Sequence, residues 1–340
     1  MPIAHLPLAV LLIVLSGVLM SAPAAASGGW EKGALYFLQQ CLNAVQVGAF
    51  YGLLAVAYVL IYGICNRINL AFGALAMWAG YLTVAGITIL AVLSPLGLAA
   101  TIVLATLYAV AGTAVLGYVV QHSVVRPLIR AVSLAMLIAT VGLAIVLEEA
   151  VRIARDSRER WLQPLFAEPV RLFGTGDFSI HITPMRALIL LASLGLSAAL
   201  IGFISRHRFG RMWRACSQDI AMAALCGINV NAVLASVFLL SAAYAGASGA
   251  IIALYYGNVS FYMGTVLGLK TLLAAVVGGL GSVAGAVAGG FILGALESFW
   301  SAYFSGDYRD VAVLGILMGL MIWRPNGLLT PAIRRDYDRA

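Results

Sequence analysis

The sequence predicts an all-α membrane protein: a polytopic helical bundle of about nine spans behind an N-terminal signal-like helix. Three observations carry this. Of the 340 residues, 63% are hydrophobic and 10% charged, with a mean hydropathy of +1.01, far above the roughly one-half apolar share of soluble domains. Apolar runs of about 20 residues recur, the length that crosses ~30 Å of hydrocarbon as a helix. Positive charges collect between the runs, as they do where they orient a chain in the bilayer.

Taken in order, the first element is residues 1–27. An apolar run from Leu6 to Met20 precedes the small residues Ser21 to Ser27. It reads as a signal peptide or as an extra N-terminal helix; His5 without Lys or Arg makes a poor n-region, and in either case the far end lies outside. The transmembrane region, 28–330, contains predicted spans at 36–64, 69–92, 97–121, 131–151, 185–205, 230–256, 263–280, 282–303 and 309–323. Pro95, Pro127, Pro184 and Pro325 stand near span ends, where a missing backbone donor is tolerable. Arg126 and Arg130, Arg206 to Arg214, and Arg324 with Arg334 and Arg335 mark three cytoplasmic segments. Span parity then puts the mature N-terminus outside and the tail, 331–340, in the cytoplasm. The loop 152–184 must be periplasmic despite Arg152, Arg155, Arg158 and Arg160; nearby Glu148, Glu149, Asp156, Glu159 and Glu168 can neutralise it. Its aromatic residues suit an interfacial anchor or a docking surface for a delivery protein.

Charge and motifs exclude several functions. The net charge of +7 comes from 18 Arg plus Lys32 and Lys270, dispersed among loops rather than gathered into the dense basic face nucleic acid needs. Cys41, Cys65, Cys216 and Cys226 show no metal-ligand or disulfide spacing. Lys270-Thr271 has Leu269 where a phosphate loop needs Gly. No nucleophile elbow, zinc-protease helix or His/Cys cluster occurs. No catalytic residue, metal site or cofactor of this chain is expected.

Two regions carry functional interest. The segment 206–228, between two spans, contains the helix-prone stretch from Arg211 to Gly227. Ile220, Ala223, Ala224 and Gly227 recur at i, i+3, i+4 and i+7, so one face can dock on a partner. Arg211, Arg214, Ala215, Asp219, Ala223 and Gly227 are its candidate coupling residues. Within the membrane, Gly281, Gly285 and Gly289, and separately Gly290 and Gly294, give small-xxx-small faces for close helix packing. Gly278-Gly279 with Gly281 makes a break between two helices. Lys270, inside an apolar run, must snorkel, pair or face water, and Glu297 on the following span is its candidate partner. A structural ion pair and a place along a translocation route both fit. Asn66 and Asn69 can cap a helix, while Gly73 and Gly80 let it bend or break and present backbone groups to a polar solute. Asn66, Asn69, Phe72, Gly73, Lys270 and Glu297 are therefore the candidate pathway residues.

Six segments carry a family resemblance: Tyr36 to Asn43, Ile68 to Gly73, Phe209 to Ala215, Gly227-Ile-Asn229, Lys270 to Gly290, and Arg324-Pro-Asn-Gly327. Their order resembles the inner-membrane permeases of bacterial branched-chain amino acid ABC importers, the LivH-type subunit, from about Tyr36 to Leu329. The resemblance implies a multi-pass inner-membrane protein beside a second LivH/LivM-type permease, two ABC ATPase subunits and a periplasmic substrate-binding protein. ATP and Mg would then sit on partner subunits, and Arg211 to Gly227 would be the coupling helix. Family members often carry Ala-His-Gly-Glu where this chain has Ala71-Phe72-Gly73-Ala74, which makes this stretch more apolar. Related permeases serve branched-chain amino acids, urea and short amides, or aromatic carboxylates. A stand-alone channel or ion-driven secondary transporter is the alternative reading.

Overall fold

A computed structural model describes residues 30–93, 97–128, 133–154, 160–161, 170–173, 180–324 and 327–328. The signal-like segment 1–27, the tail 331–340, and Arg130, Asp156, Glu159, Glu168, Arg334 and Arg335 lie outside the described residues.

The bundle is built around α1 (Trp30–Cys65), 36 residues long and buried almost throughout its apolar length. Asn66 ends it in a left-handed conformation, φ 48°, with its N–H on the Tyr62 carbonyl at 2.8 Å. Asn66 thus closes a helix, whereas the sequence suggested that it opens one. Asn69 does open the next, α2 (Ala71–Leu93), by accepting from the Ala71 N–H at 3.0 Å. α2 is continuous, and neither Gly73 nor Gly80 breaks it. These glycines admit neighbours: a Cβ at Gly73 would stand 2.2 Å from the Gly264 carbonyl oxygen.

α3 (Leu98–Val120) runs through a π turn, Gln121–Val125, into Arg126–Leu128. α4 (Ser133–Ala154) and α5 (Pro184–Arg206) follow, and between them lie three short strands, β1 (Arg160–Trp161), β2 (Val170–Phe173) and β3 (Ile180–Ile182). β2 and β3 pair antiparallel. The loop 152–184 therefore contains regular structure that the sequence did not suggest. α6 (Arg208–Gln218) and α7 (Ile220–Leu225) precede α8 (Val230–Tyr256), which Gly257 ends at φ 66°. β4 (Asn258–Val259) pairs antiparallel with β1. The chain closes with α9 (Met263–Gly278), α10 (Val283–Tyr303) and α11 (Arg309–Trp323).

Among the described residues, seven helices are long and apolar enough to cross a membrane, two fewer than the sequence reading. The two that fall short are α9, with 16 residues, and α11, with 15. Gly279, at φ 113°, stops α9, and Arg309-Asp310 opens α11 with two charges. At 1.5 Å per residue each covers only about 23 Å.

α10 is the second organising element. One of its faces, Gly285 and Gly289, meets α9, where added Cβ atoms would stand 2.5 Å from the Gly278 oxygen and 2.0 Å from the Ala274 oxygen. The other, Gly290 and Gly294, meets α1, where they would stand 2.3 Å from the Gly52 Cα and 2.2 Å from the Gly48 nitrogen. Both seams were legible as small-xxx-small spacing. Gly281 is the exception: it sits in the turn between α9 and α10, because the Gly279 break and the Ser282 cap place it before the helix starts.

The α1–α10 contact is antiparallel, with Tyr36 against Tyr303 at one end and Gly52 against Gly290 farther along. The basic segments consequently collect at one end of the bundle. Arg67 donates to the Leu128 carbonyl at 3.1 Å, next to Arg126; Arg214 donates to the Ile204 carbonyl at 3.0 Å; Leu328 donates to the Val277 carbonyl at 2.8 Å, close to Arg324. The strands lie at the other end, where Thr265 donates to Glu148 at 2.6 Å and Arg152 pairs with Glu149, Nε to Oε2 at 2.8 Å.

Candidate functional site

At the basic end, the stretch expected as one helix is two. Asp219 takes an extended conformation and its Oδ1 accepts from the Ala221 and Met222 N–H groups at 2.8 and 3.1 Å, capping α7. A side chain that satisfies the backbone of the next helix cannot also continue the previous one, so the segment breaks at Asp219.

α6 is anchored from beneath. The Trp213 indole N–H donates to the Leu60 carbonyl on α1 at 3.0 Å, and its ring occupies the space that a Cβ on Gly63 would enter. Gly210 lies so near Ile204 that any Cβ would collide with its carbonyl. Cys216 is buried, and burial pushes its thiol above the ordinary value. Gly227, at φ 83°, ends the segment, and Asn229 caps α8 by accepting from Ala232 at 3.1 Å.

The exposed side of this pair carries Arg211, Met212, Ile220, Met222 and Leu225, the last 81% exposed. Among the expected coupling residues, Arg211, Arg214, Asp219 and Gly227 are exposed, Ala215 is half-buried, and Ala223 is buried against the body of the protein. The outward apolar face is therefore Met212, Ile220, Met222 and Leu225; of the expected row Ile220, Ala223, Ala224 and Gly227, only Ala223 turns inward.

The second site lies in the other half of the bundle. Lys270 on α9 donates from Nζ to Glu297 Oε1 on α10 and to Asp310 Oδ1 on α11, both at 2.7 Å. Arg309 Nε stands 3.4 Å from the same Glu297 oxygen and 3.2 Å from Asp310. Two cations and two carboxylates make a formally neutral quartet that ties three helices together. The Lys270 and Glu297 side chains are each 4% exposed, Arg309 38% and Asp310 45%. The quartet thus opens to the outside on the α11 flank only.

Glu297 Oε2 is buried and accepts no hydrogen bond of normal geometry. The Tyr51 phenol of α1 lies beside this carboxylate, and Tyr256 beside Tyr51. Phe50, Tyr255 and Tyr256 form a ring cluster, with Phe50 centroids 5.6 and 6.1 Å from the two tyrosines and Arg186 stacked over Tyr255.

The expected pathway residues therefore divide. Lys270 and Glu297 do pair, as their positions on consecutive spans suggested. Asn66 and Asn69 serve as caps at the basic end. Phe72 is buried between Tyr58 and Phe238, and Gly73 lies against α9. Capping and packing are the contacts these four make, and Gly73 meets α9 at Gly268, two residues from Lys270. Sequence reasoning missed Arg309, Asp310, Tyr51 and Trp213. Arg309-Asp310 carried a signal: two opposite charges opening a span, at the depth that consecutive antiparallel helices give to Lys270 and Glu297. Tyr51 and Trp213 carried none, because each acts through a tertiary contact. Among the described residues no group of His, Cys, Asp and Glu could hold a metal ion.

Comparison with known proteins follows the same geometry. Residues 40–322 match the family model described as branched-chain amino acid transport system / permease component. The chain is 36% identical over 303 residues to the high-affinity branched-chain amino acid transport system permease protein LivH of Salmonella typhimurium, covering 87% of this chain and 96% of that protein. It is 34% identical over 295 residues to the corresponding permease protein BraD of Pseudomonas aeruginosa, covering 86% and 96%. A shorter match, 32% over 146 residues, relates it to the permease protein LivM of Escherichia coli, covering 42% of this chain and 33% of LivM. No solved structure matches the chain.

Proposed function

The chain belongs to the family of permease components of branched-chain amino acid ABC transport systems, a membrane transport subunit and not an enzyme, and from that premise we propose how it works. It is the LivH-type subunit of an importer in the bacterial inner membrane, with the basic end and the C-terminus in the cytoplasm. Branched-chain amino acids are its substrates, handed over by a periplasmic binding protein at the end that carries the short strands. A LivM-type permease is its partner within the membrane, and two ABC ATPase subunits bind and hydrolyse ATP with Mg. The chain itself binds no cofactor.

The observation that carries this reading is the α6–α7 pair. It presents a small apolar patch, Met212, Ile220, Met222 and Leu225, rimmed by Arg211 and Asp219, at the end of the bundle where the arginines gather. It is also locked to the central helix through Trp213. A patch that is exposed yet rigidly held is what a motor needs in order to pull: movement of the docked ATPase passes through the Trp213 contact into α1. Alternating access follows, with solute crossing where the two permeases meet.

The test is affinity purification of the tagged chain from its native membrane, with associated ATPase activity and partner masses measured. Recovery of ATPase subunits with a second permease supports the importer, and Met222→Asp with Leu225→Asp should abolish that recovery while leaving the permease monodisperse. A lone protein under gentle detergent would point instead to a channel or an ion-driven carrier.

A further inference from the structure

Among the buried side-chain atoms of the quartet, one has no partner. Lys270 is satisfied twice and Asp310 accepts from Lys270 and Arg309, yet Glu297 Oε2 is buried with no hydrogen bond. A carboxylate oxygen held out of water without a donor is expensive, and a bound donor from outside the chain is one of the few things that offsets the cost. Intramembrane ionisable groups mark solute routes for the same reason. What surrounds Oε2 says what it would take. The Tyr51 hydroxyl beside the carboxylate points its O–H toward Glu297 and keeps its oxygen lone pairs as a second acceptor. Arg309, whose Nε faces Glu297 and Asp310, has two Nη groups committed to no described residue. Its 3.4 Å approach to the other Glu297 oxygen places that fork within a few ångströms of Oε2. Beyond Tyr51, the part-exposed rings of Tyr255 and Tyr256, packed on the buried Phe50, supply an apolar wall.

We propose that this flank of the quartet is a binding site for the zwitterionic head group of an apolar amino acid. The substrate ammonium donates to Glu297 Oε2 and to the Tyr51 oxygen, its carboxylate takes the Arg309 fork, and its side chain lies on the Tyr255 and Tyr256 rings. The site selects for both charges at once. The quartet is neutral, so a zwitterion leaves it neutral, whereas a lone cation or anion strands one charge in a low-dielectric setting. Lys270 is the positioning residue: held between Glu297 and Asp310, it fixes the carboxylate so that Oε2 alone faces the substrate. Access is from the α11 flank, where Arg309 and Asp310 are part-exposed. This assignment rests on the importer reading above and adds to it where, and by which groups, the solute is held.

The experiment uses the whole complex, purified with its native partners and reconstituted in vesicles with its binding protein and radiolabelled leucine. Uptake and ATP hydrolysis are measured together. Wild type must first take up leucine; if it does not, the importer reading is what fails. With that in hand, Glu297→Gln and Arg309→Gln are each expected to lower uptake per ATP by about tenfold or more, the effect of losing one charge-assisted bond. A merely structural role would lower complex yield and leave that ratio alone. A ratio within about twofold of wild type in either variant overturns the proposal. Should Glu297→Gln not assemble, Arg309→Gln and Tyr51→Phe decide by the same rule.

Discussion

Replacing Lys270 by Met removes the nearer and more buried of the two cations that Glu297 and Asp310 share. In the native protein its Nζ lies 2.7 Å from both Glu297 and Asp310. Without it, Glu297 keeps only the 3.4 Å approach of Arg309, and the cluster carries an excess negative charge. The two losses differ in size. Asp310 is part-exposed, so water screens it and its share is worth about 0–1 kcal/mol. Glu297 is almost wholly buried, and breaking a buried pair from one side costs about 3–5 kcal/mol. Nearly all of the penalty therefore belongs to Glu297. The double variant Lys270→Met with Glu297→Gln removes the stranded charge and should regain the greater part of it. The measurement is the thermal midpoint of the solubilised protein, read as surviving monodisperse peak after heating. At about 2–4 °C per kcal/mol for a mid-sized domain, the single variant should fall by roughly 6 °C or more. A single variant within about 2 °C of wild type, or a double variant less stable than the single, would refute the reasoning.

Other outcomes follow from the packing. Gly290→Val drives a side chain into the Gly52 backbone, which has no rotamer to yield, and should abolish monodisperse expression; Gly315→Val, where an added Cβ meets nothing within 4 Å, should express normally. Trp213→Phe keeps a ring against Gly63 but removes the N–H that donates to the Leu60 carbonyl, a loss of about 1 kcal/mol; yield should hold while ATP consumed per solute transported rises, and an unchanged ratio would discard the α6–α1 link. Maleimide should label the exposed Cys226 rapidly and spare Cys216, whose burial both shields the thiol and keeps it protonated. Assembly with the ATPase should then protect Cys226.

How much of this was legible in the sequence depended on whether a signal was local. The seven long spans, the Gly279 break and both glycine seams of α10 were readable, because span length and four-residue spacing are properties of one stretch of chain. The Lys270–Glu297 pair was readable too, since an isolated ammonium in an apolar run demands a partner. The Asp219 break was not. Asp is tolerated within a helix and also favoured as a cap, and only the competition between the two, settled by the surrounding packing, decides. Gly281 fell on the wrong side of a cap for a similar reason. The β1–β4 pairing joins residues nearly a hundred positions apart, beyond any local pattern. Tyr51 looked like one more core aromatic until α10 brought Glu297 beside it.

The central helix carries both functional contacts on one rod. Leu60, which holds the docking segment, and Tyr51, which borders the orphan carboxylate oxygen, are separated by ~14 Å of unbroken α1. Backbone-to-backbone seams weld α1 to α10 and α10 to α9, with no cushion of side chains between them to compress. Such a block is a stiff shaft, and on the proposed coupling a stroke delivered at α6 would reach the quartet through it. The place to look for flexing during a transport cycle is then α3, α4 and α5, the least covered of the long spans.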